Sequence, residues 1–183
     1  MNKKTISRTI ISFIAISLIT LGYYHISHNK ATGICPYNPS QDRTFILQLF
    51  KDNWHWLVSE YSTDFSPEYM LDNKASSKSP EHKNNLTIMM YHVNNKPVGF
   101  TAYYPKSFFM AQLLFIAVAD THRGCGYASH LLDYAIKDIF NHGYGVIQLI
   151  TRVSNLKAQS LYKKKGFVEI WRDDGFIKFE KIK

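Results

Sequence analysis

The segment Val118-Ala-Asp-Thr-His-Arg123-Gly-Cys-Gly-Tyr-Ala128 joins an apolar run to an amphipathic one. Before it, residues 112–118 (QLLFIAV) are almost wholly apolar, as expected of a strand covered on both faces. After it, Ala128, Leu131, Leu132, Ala135, Ile136, Ile139 and Phe140 mark one stripe of a four-turn helix that Gly143 and Gly145 close. Residues 146–150 (VIQLI) read as another buried strand. Strand, glycine loop, helix, strand is a βαβ unit, which predicts an α/β or mixed sheet. Gly124 and Gly126 remove side chains where the backbone turns, leaving successive N–H groups at a helix N-terminus. Such a nest, with the helix dipole behind it, suits phosphate or pyrophosphate. Two glycines also make an ordinary tight turn, so the loop alone decides little. It lacks the Gly-Lys-Ser/Thr of a P-loop, and the third glycine and matching acid of a dinucleotide fingerprint.

Working outward, residues 41–60 place Phe45, Leu47, Phe50, Trp54 and Leu57 at roughly helical spacing. Residues 66–72 predict a short second helix, with Ser66 as N-cap, Pro67 at its first position and Glu68 in its first turn. A hairpin follows, 86–93 and 98–104 joined through Asn94-Asn95-Lys96. Residues 156–165 form a helix that stops at Gly166, and a hairpin over Asp173-Asp174-Gly175 ends the chain. The polar stretch 25–41, with Gly33, Pro36 and Pro39, reads as a linker, and 73–85 as a second segment of low order.

At 183 residues the chain is one domain with an appendage, and 45% apolar content with 20% charged residues excludes wholesale disorder. Two cysteines build no disulfide framework, and neither a zinc spacing nor an HExxH is present, so no metal is assigned. Of the net +8, residues 1–30 supply four cations (Lys3, Lys4, Arg8, Lys30) and no acid, leaving 18 cations against 14 acids. That balance attracts a phosphorylated small molecule; it is not the dense basic face of a nucleic-acid binder. Residues 9–24 pass without a charge behind Lys3, Lys4 and Arg8, near the lower limit for a span. The run reads as a single-pass anchor, with a cleaved signal peptide as the alternative. The charge bias puts the amino terminus inside and the domain outside, so membrane association is expected and its side stays open.

Two motifs carry a resemblance. Arg123-Gly-Cys-Gly126-Tyr-Ala128 resembles the Arg/Gln-x-x-Gly-x-Gly/Ala pyrophosphate loop of the GCN5-related N-acetyltransferases (GNAT). Asn155-Leu-Lys-Ala158-Gln-Ser-Leu-Tyr162-Lys-Lys-Lys-Gly166-Phe167 is similar to that family's Asn-x-x-Ala-x-x-Leu-Tyr-x-x-x-Gly-Phe helix. The likeness covers 86–183 well and 41–72 only in helical pattern. It implies an α/β, GNAT-like mixed sheet of six or seven strands, splayed at one end and flanked by helices; the N-terminal transmembrane helix read from residues 9–24 lies outside the likeness. The layout becomes 1–30 anchor or signal, 31–41 linker and 42–183 acetyltransferase domain.

The resemblance also implies roles. Backbone groups of Ile116, Ala117 and Val118 would pair with the pantetheine arm of acetyl-CoA, the acyl donor. Arg123 and the amides of Gly124, Cys125, Gly126, Tyr127, Ala128 and Ser129 would hold the pyrophosphate. Asn155 would contact the arm, Ala158 would leave room for it, and Tyr162 would protonate the departing thiolate. On their own residues, Asn155 is equally an N-cap and Tyr162 a core aromatic. Some members carry a glutamate on the fifth strand; here that strand has none and the fourth offers Gln112, so deprotonation of the acceptor amine would run through water. Glu60, Asp64, Glu68 and Asp72 would form an acidic rim steering a cationic amine, or a solvated helical face. Trp54, Trp56, Tyr61 and Tyr103 would line the acceptor pocket or belong to the core. Cys125, between two glycines at a helix N-terminus, would be a thiol whose modification blocks the cofactor. The competing class is a non-catalytic, membrane-anchored acyl-CoA-binding or sensing module.

Overall fold

The computed structural model describes residues 31–58 and 65–183. The apolar run 9–24 lies outside the described residues, as do Glu60, Tyr61 and Asp64. Seven strands form one sheet in the order β1-β2-β3-β4-β5-β7-β6. They are β1 (Gly33–Pro36), β2 (Thr87–Val93), β3 (Lys96–Pro105), β4 (Met110–Val118), β5 (Val146–Arg152), β6 (Val168–Arg172) and β7 (Phe176–Ile182). Every neighbouring pair is antiparallel except β4 with β5. Among the described residues the α-helices are α1 (Pro39–Leu57), α2 (Pro67–Asn73), α3 (Tyr127–Asn141) and α4 (Leu156–Lys164).

Local chemistry explains most boundaries. Asn38 caps α1 by accepting from Ser40 N, and Asp42 returns the contact by accepting from Asn38 N at 2.8 Å. Ser66 caps α2 through Tyr69 N at 3.2 Å. Asn94 and Asn95, with φ of +53° and +65°, make the two-residue turn that hairpin twist favours. Strand β1 falls inside the stretch read as a linker. Its short, glycine- and proline-bearing sequence suffices because an edge strand pairs on one side only, here with Gly33 opposite His92 and Pro36 opposite Met89. The stretch 73–85 is irregular but tied down, Asn85 exchanging hydrogen bonds with Ser76. Among the described residues no helix is long and apolar enough to cross a membrane.

The sheet separates two cores. On one face α1 and α2 press Ile46, Phe50, Met70 and Leu71 onto Ile88, Met90, Phe100, Ala102 and Phe115. On the other, α3 and α4 press Leu132, Ala135, Ile139 and Tyr162 onto Tyr103, Leu113, Ile147, Leu149 and Phe179. Leu113 and Phe115 thus lie on opposite faces although two residues apart, which alternation forbids in a regular strand. The register supplies the reason. Tyr103 pairs with Leu113 and Ala102 with Phe115, so Leu114 is the unopposed residue of a β-bulge.

Candidate active site

The bulge coincides with the parting of β4 and β5, the parallel pair of the sheet. β4 and β5 are registered at Met110/Val146, Ala111/Ile147 and Gln112/Gln148, and no further. Beyond that rung β4 runs on with β3 and β5 with β7, leaving residues 113–118 and 149–152 facing each other across a gap. Ile116, Ala117 and Val118 line one lip of it. An extended ligand can lie there as an extra strand, because parted strands leave backbone donors and acceptors unclaimed.

At the top of β4 the chain makes a 3-10 turn, Asp120–His122, then passes Gly124 (φ +81°) and Gly126 (φ +83°) into α3. Both glycines sit in the left-handed region, and a Cβ on either would meet nothing within 4 Å. Conformation, not crowding, calls for glycine, and open space lies before them. Among the described residues no acceptor takes the N–H groups of Gly124, Cys125, Gly126, Tyr127, Ala128 or Ser129, so they fit an anionic diphosphate. Cys125 is exposed.

Arg123 does something other than wave in solvent. Its Nη2 donates to Oδ1 of Asn53 at 2.6 Å and pairs with Asp120 at 2.7 Å, while Nε reaches the Val118 carbonyl at 3.4 Å. Asn53 is the buried residue at which α1 kinks, with φ −127° and ψ 25°. On the opposite arm, Arg152 at the end of β5 donates to the carbonyls of His55 (2.6 Å) and Val58 (3.1 Å). The carboxyl-terminal part of α1 is therefore fastened to both arms of the gap.

Helix α4 stands on the β5 side. Asn155 caps it, its side-chain oxygen accepting from Ala158 N at 3.2 Å, so its amide NH2 alone remains for a ligand. Tyr162 is buried, its ring centroid 6.0 Å from those of Phe167 and Phe179. Its hydroxyl has no partner in the described protein, and burial pushes its pKa up to about 12. At neutral pH it is a proton donor only. Of the lysine run at the end of α4, Lys165 is taken by Asp133 at 2.6 Å.

Lys106, Gln148 and Glu180, at the gap's floor, escaped the sequence reading, whereas Gln112 was named there. Gln112 and Gln148, neighbours on the last rung and both buried, accept from the Lys106 ammonium at 3.4 and 2.8 Å. Gln148 in turn donates to Glu180 on β7. Alternation in 176–182 carried a hint, since Ile177 and Phe179 are buried while Lys178 and Glu180 face the other way. Phe50, Phe65 and Phe115 close the α1 side, Phe50 meeting Phe115 edge-on at 5.0 Å. Tyr103 is a core residue, its hydroxyl on Asp138 at 2.7 Å; Trp54 and Trp56 are half exposed. The acidic rim is weaker than its composition implies, because Asp72 is paired with Arg43 and Glu68 accepts from Ser66. Among the described residues no group of His, Cys, Asp or Glu is placed to hold a metal.

No curated protein matches the chain. Several solved structures match its fold. The PaiA N-acetyltransferase from Thermoplasma acidophilum, in complex with coenzyme A, is 18% identical with a TM-score of 0.68 over 84% of this chain and 99% of that one. Spermidine N-acetyltransferase from Vibrio cholerae, in complex with CoA and spermine, is 22% identical with a TM-score of 0.66 over 84% and 96%. Ribosomal-protein-alanine N-acetyltransferase from Brucella melitensis is 18% identical with a TM-score of 0.62 over 81% and 98%. The sequence profile described as the acetyltransferase (GNAT) family matches residues 45–167, which is most of the domain. With the glycine loop, the parted strands and the Asn155–Tyr162 helix in place, the chain belongs to the GNAT acetyltransferase family.

Proposed function

We propose that the protein moves an acetyl group from acetyl-CoA to a primary amine by direct attack. The observation that carries this reading is the parting of β4 from β5 beneath a glycine loop whose amides find no acceptor among the described residues; the protonated Tyr162 hydroxyl on α4 supports it. The diphosphate rests on the 124–129 amides and the pantetheine arm lies along 116–118. The amine nitrogen bonds to the thioester carbon, the C–S bond breaks, and the Tyr162 hydroxyl donates to the departing sulfur. The acceptor comes from the α1 face. There the Gln112 and Gln148 oxygens already hold one ammonium, that of Lys106, which supports an acceptor bearing a primary ammonium. Lys106 is an exposed loop residue and can swing out. The proton of the acceptor leaves through water, since both residues at the floor are amides.

Acetyl-CoA turnover against a panel of polyamines, aminoglycosides and lysine peptides, read as free thiol, tests the proposal. Thiol release with at least one amine supports it. Binding of acetyl-CoA with no release from any leaves the acyl-CoA-binding module, the reading that amides in place of a carboxylate favour. Membrane association through residues 9–24 belongs to the same proposal, with 1–30 as anchor; the stretch 31–41, read as a linker, joins the catalytic domain because it carries β1 and the start of α1. Anchoring requires the full chain to sediment with membranes and to leave them when residues 1–30 are deleted; protease protection then gives the side.

A further inference from the structure

At the β1 edge of the sheet, remote from the β4–β5 gap in strand order, three side chains form a line that acetyl transfer does not use. His92 Nε2 lies 2.8 Å from Oδ1 of Asp42, and its Nδ1 lies 3.7 Å from the Cys35 sulfur. Asp42 is fully buried and His92 is 8% exposed, while Cys35 on the edge strand is half-buried. The other Asp42 oxygen accepts from Asn38 N at 2.8 Å. A carboxylate that accepts from Nε2–H fixes the imidazole tautomer, leaving a bare lone pair on Nδ1 directed at the thiol. Sulfur, imidazole and carboxylate come from β1, β2 and α1, in the order nucleophile, base, orienter. Packing alone does not call for this, since apolar side chains of the same volume hold a core at least as well as a buried polar network.

We propose that Cys35 is a base-assisted nucleophilic thiol that takes small hydroperoxides, with His92 as the base and Asp42 as the residue that positions it. The sulfur attacks one peroxide oxygen; the S–O bond forms as the O–O bond breaks. Sulfur is oxidised to the sulfenic acid, and the second oxygen, reduced, leaves as water or alcohol with the proton that His92 took from the thiol. A poor leaving group such as hydroxide needs that proton, which is why a hydroperoxide suits the arrangement. The half-buried position admits a small one.

Burial, and next the charge of Asp42, raise the Cys35 thiol above its ordinary range, so it rests protonated. Without base assistance it would react more slowly than a free thiol, and this gives the test its sign. The full-length protein is treated with hydrogen peroxide and dimedone at neutral pH beside N-acetylcysteine, and adducts are counted by peptide mass spectrometry. Cys35 should label about tenfold or more faster than N-acetylcysteine, the low end of general acid–base assistance being ~10². In His92→Gln that advantage should vanish and in Asp42→Asn shrink, while exposed Cys125 labels as before in the same samples. A wild-type Cys35 rate at or below that of N-acetylcysteine overturns the proposal whether or not the variants fold. So does a folded His92→Gln that labels at the wild-type rate.

Discussion

At Tyr162 the phenol, lifted to about 12 by its burial, is a weaker acid than a thiol, whose ordinary pKa is about 8.5. In the proposed reaction, complete proton transfer to the sulfur would run uphill, so the hydroxyl would act by hydrogen-bonding charge as it develops. Tyr162→Phe keeps the ring against Phe167 and Phe179 and should lower kcat about 10²-fold with acetyl-CoA affinity unchanged. Wild-type turnover in that variant at saturating cofactor would reduce Tyr162 to a packing residue. The same shift sets an alkaline limit on stability. The folded state keeps a proton that the unfolded chain loses near pH 10, so the contribution is intact below pH 10 and disappears as pH rises towards 12. Its size is roughly 2–3 kcal/mol at 1.36 kcal/mol per pKa unit. Urea titrations between pH 9 and 11 should show a shallower loss for Tyr162→Phe than for wild type. At Gly126 the left-handed backbone costs an L-residue about 1–2 kcal/mol. Gly126→Ala should therefore fold and bind acetyl-CoA weakly. Gly126→Glu, which adds a negative charge where the proposal puts the diphosphate, should fold and show no binding by calorimetry. Equal binding by the two would mean that the loop does not hold the phosphates.

Among the elements, α1 repays mutation most. Asn53 accepts from Arg123 at the kink and returns a hydrogen bond to Leu49 O at 3.2 Å. Asn53→Ala should cost about 1–3 kcal/mol in chemical unfolding and weaken acetyl-CoA binding, because the Arg123 side of the loop comes adrift. Asn53→Asp, which keeps the acceptor, should restore the binding; if it does not, the Arg123 contact is incidental to the loop. Helices α1 to α4 and the hairpins were legible in the sequence because caps, stripes and turn residues are local signals. Strand β1 was not, since its ladder partner lies more than fifty residues on and its own residues read as a turn. The bulge at Leu114 hid for a different reason. An all-apolar run such as 112–118 has no alternation to break, so the switch of face leaves no trace in composition. The motif residues of the site were legible as a pattern. The Lys106–Gln148–Glu180 line was not, because three separate elements meet there only through strand register. Arg123 was read as a ligand residue in an exposed loop, and its reach back to Asn53 spans seventy positions.

For the molecule as a whole, the sheet is continuous from β1 to β6 except where β4 and β5 part, and one helix bridges that opening. Arg123 beyond β4 is fastened at Asn53, and Arg152 at the end of β5 is fastened at His55 and Val58. The arms cannot zip together without breaking charge-assisted hydrogen bonds at one fastening or the other, so the opening belongs to the folded state before any ligand arrives. That makes a statement about time. A ligand entering a slot that already stands open binds in one step, its observed association rate rising in proportion to concentration. A slot that must first open shows a plateau, set by the opening itself. Stopped-flow mixing with acetyl-CoA should give a straight line for the wild-type protein. Arg152→Ala, which frees the β5 arm, should bend that line towards a ceiling, and a plateau in the wild type would mean that the bridge yields as easily as the strands it holds apart.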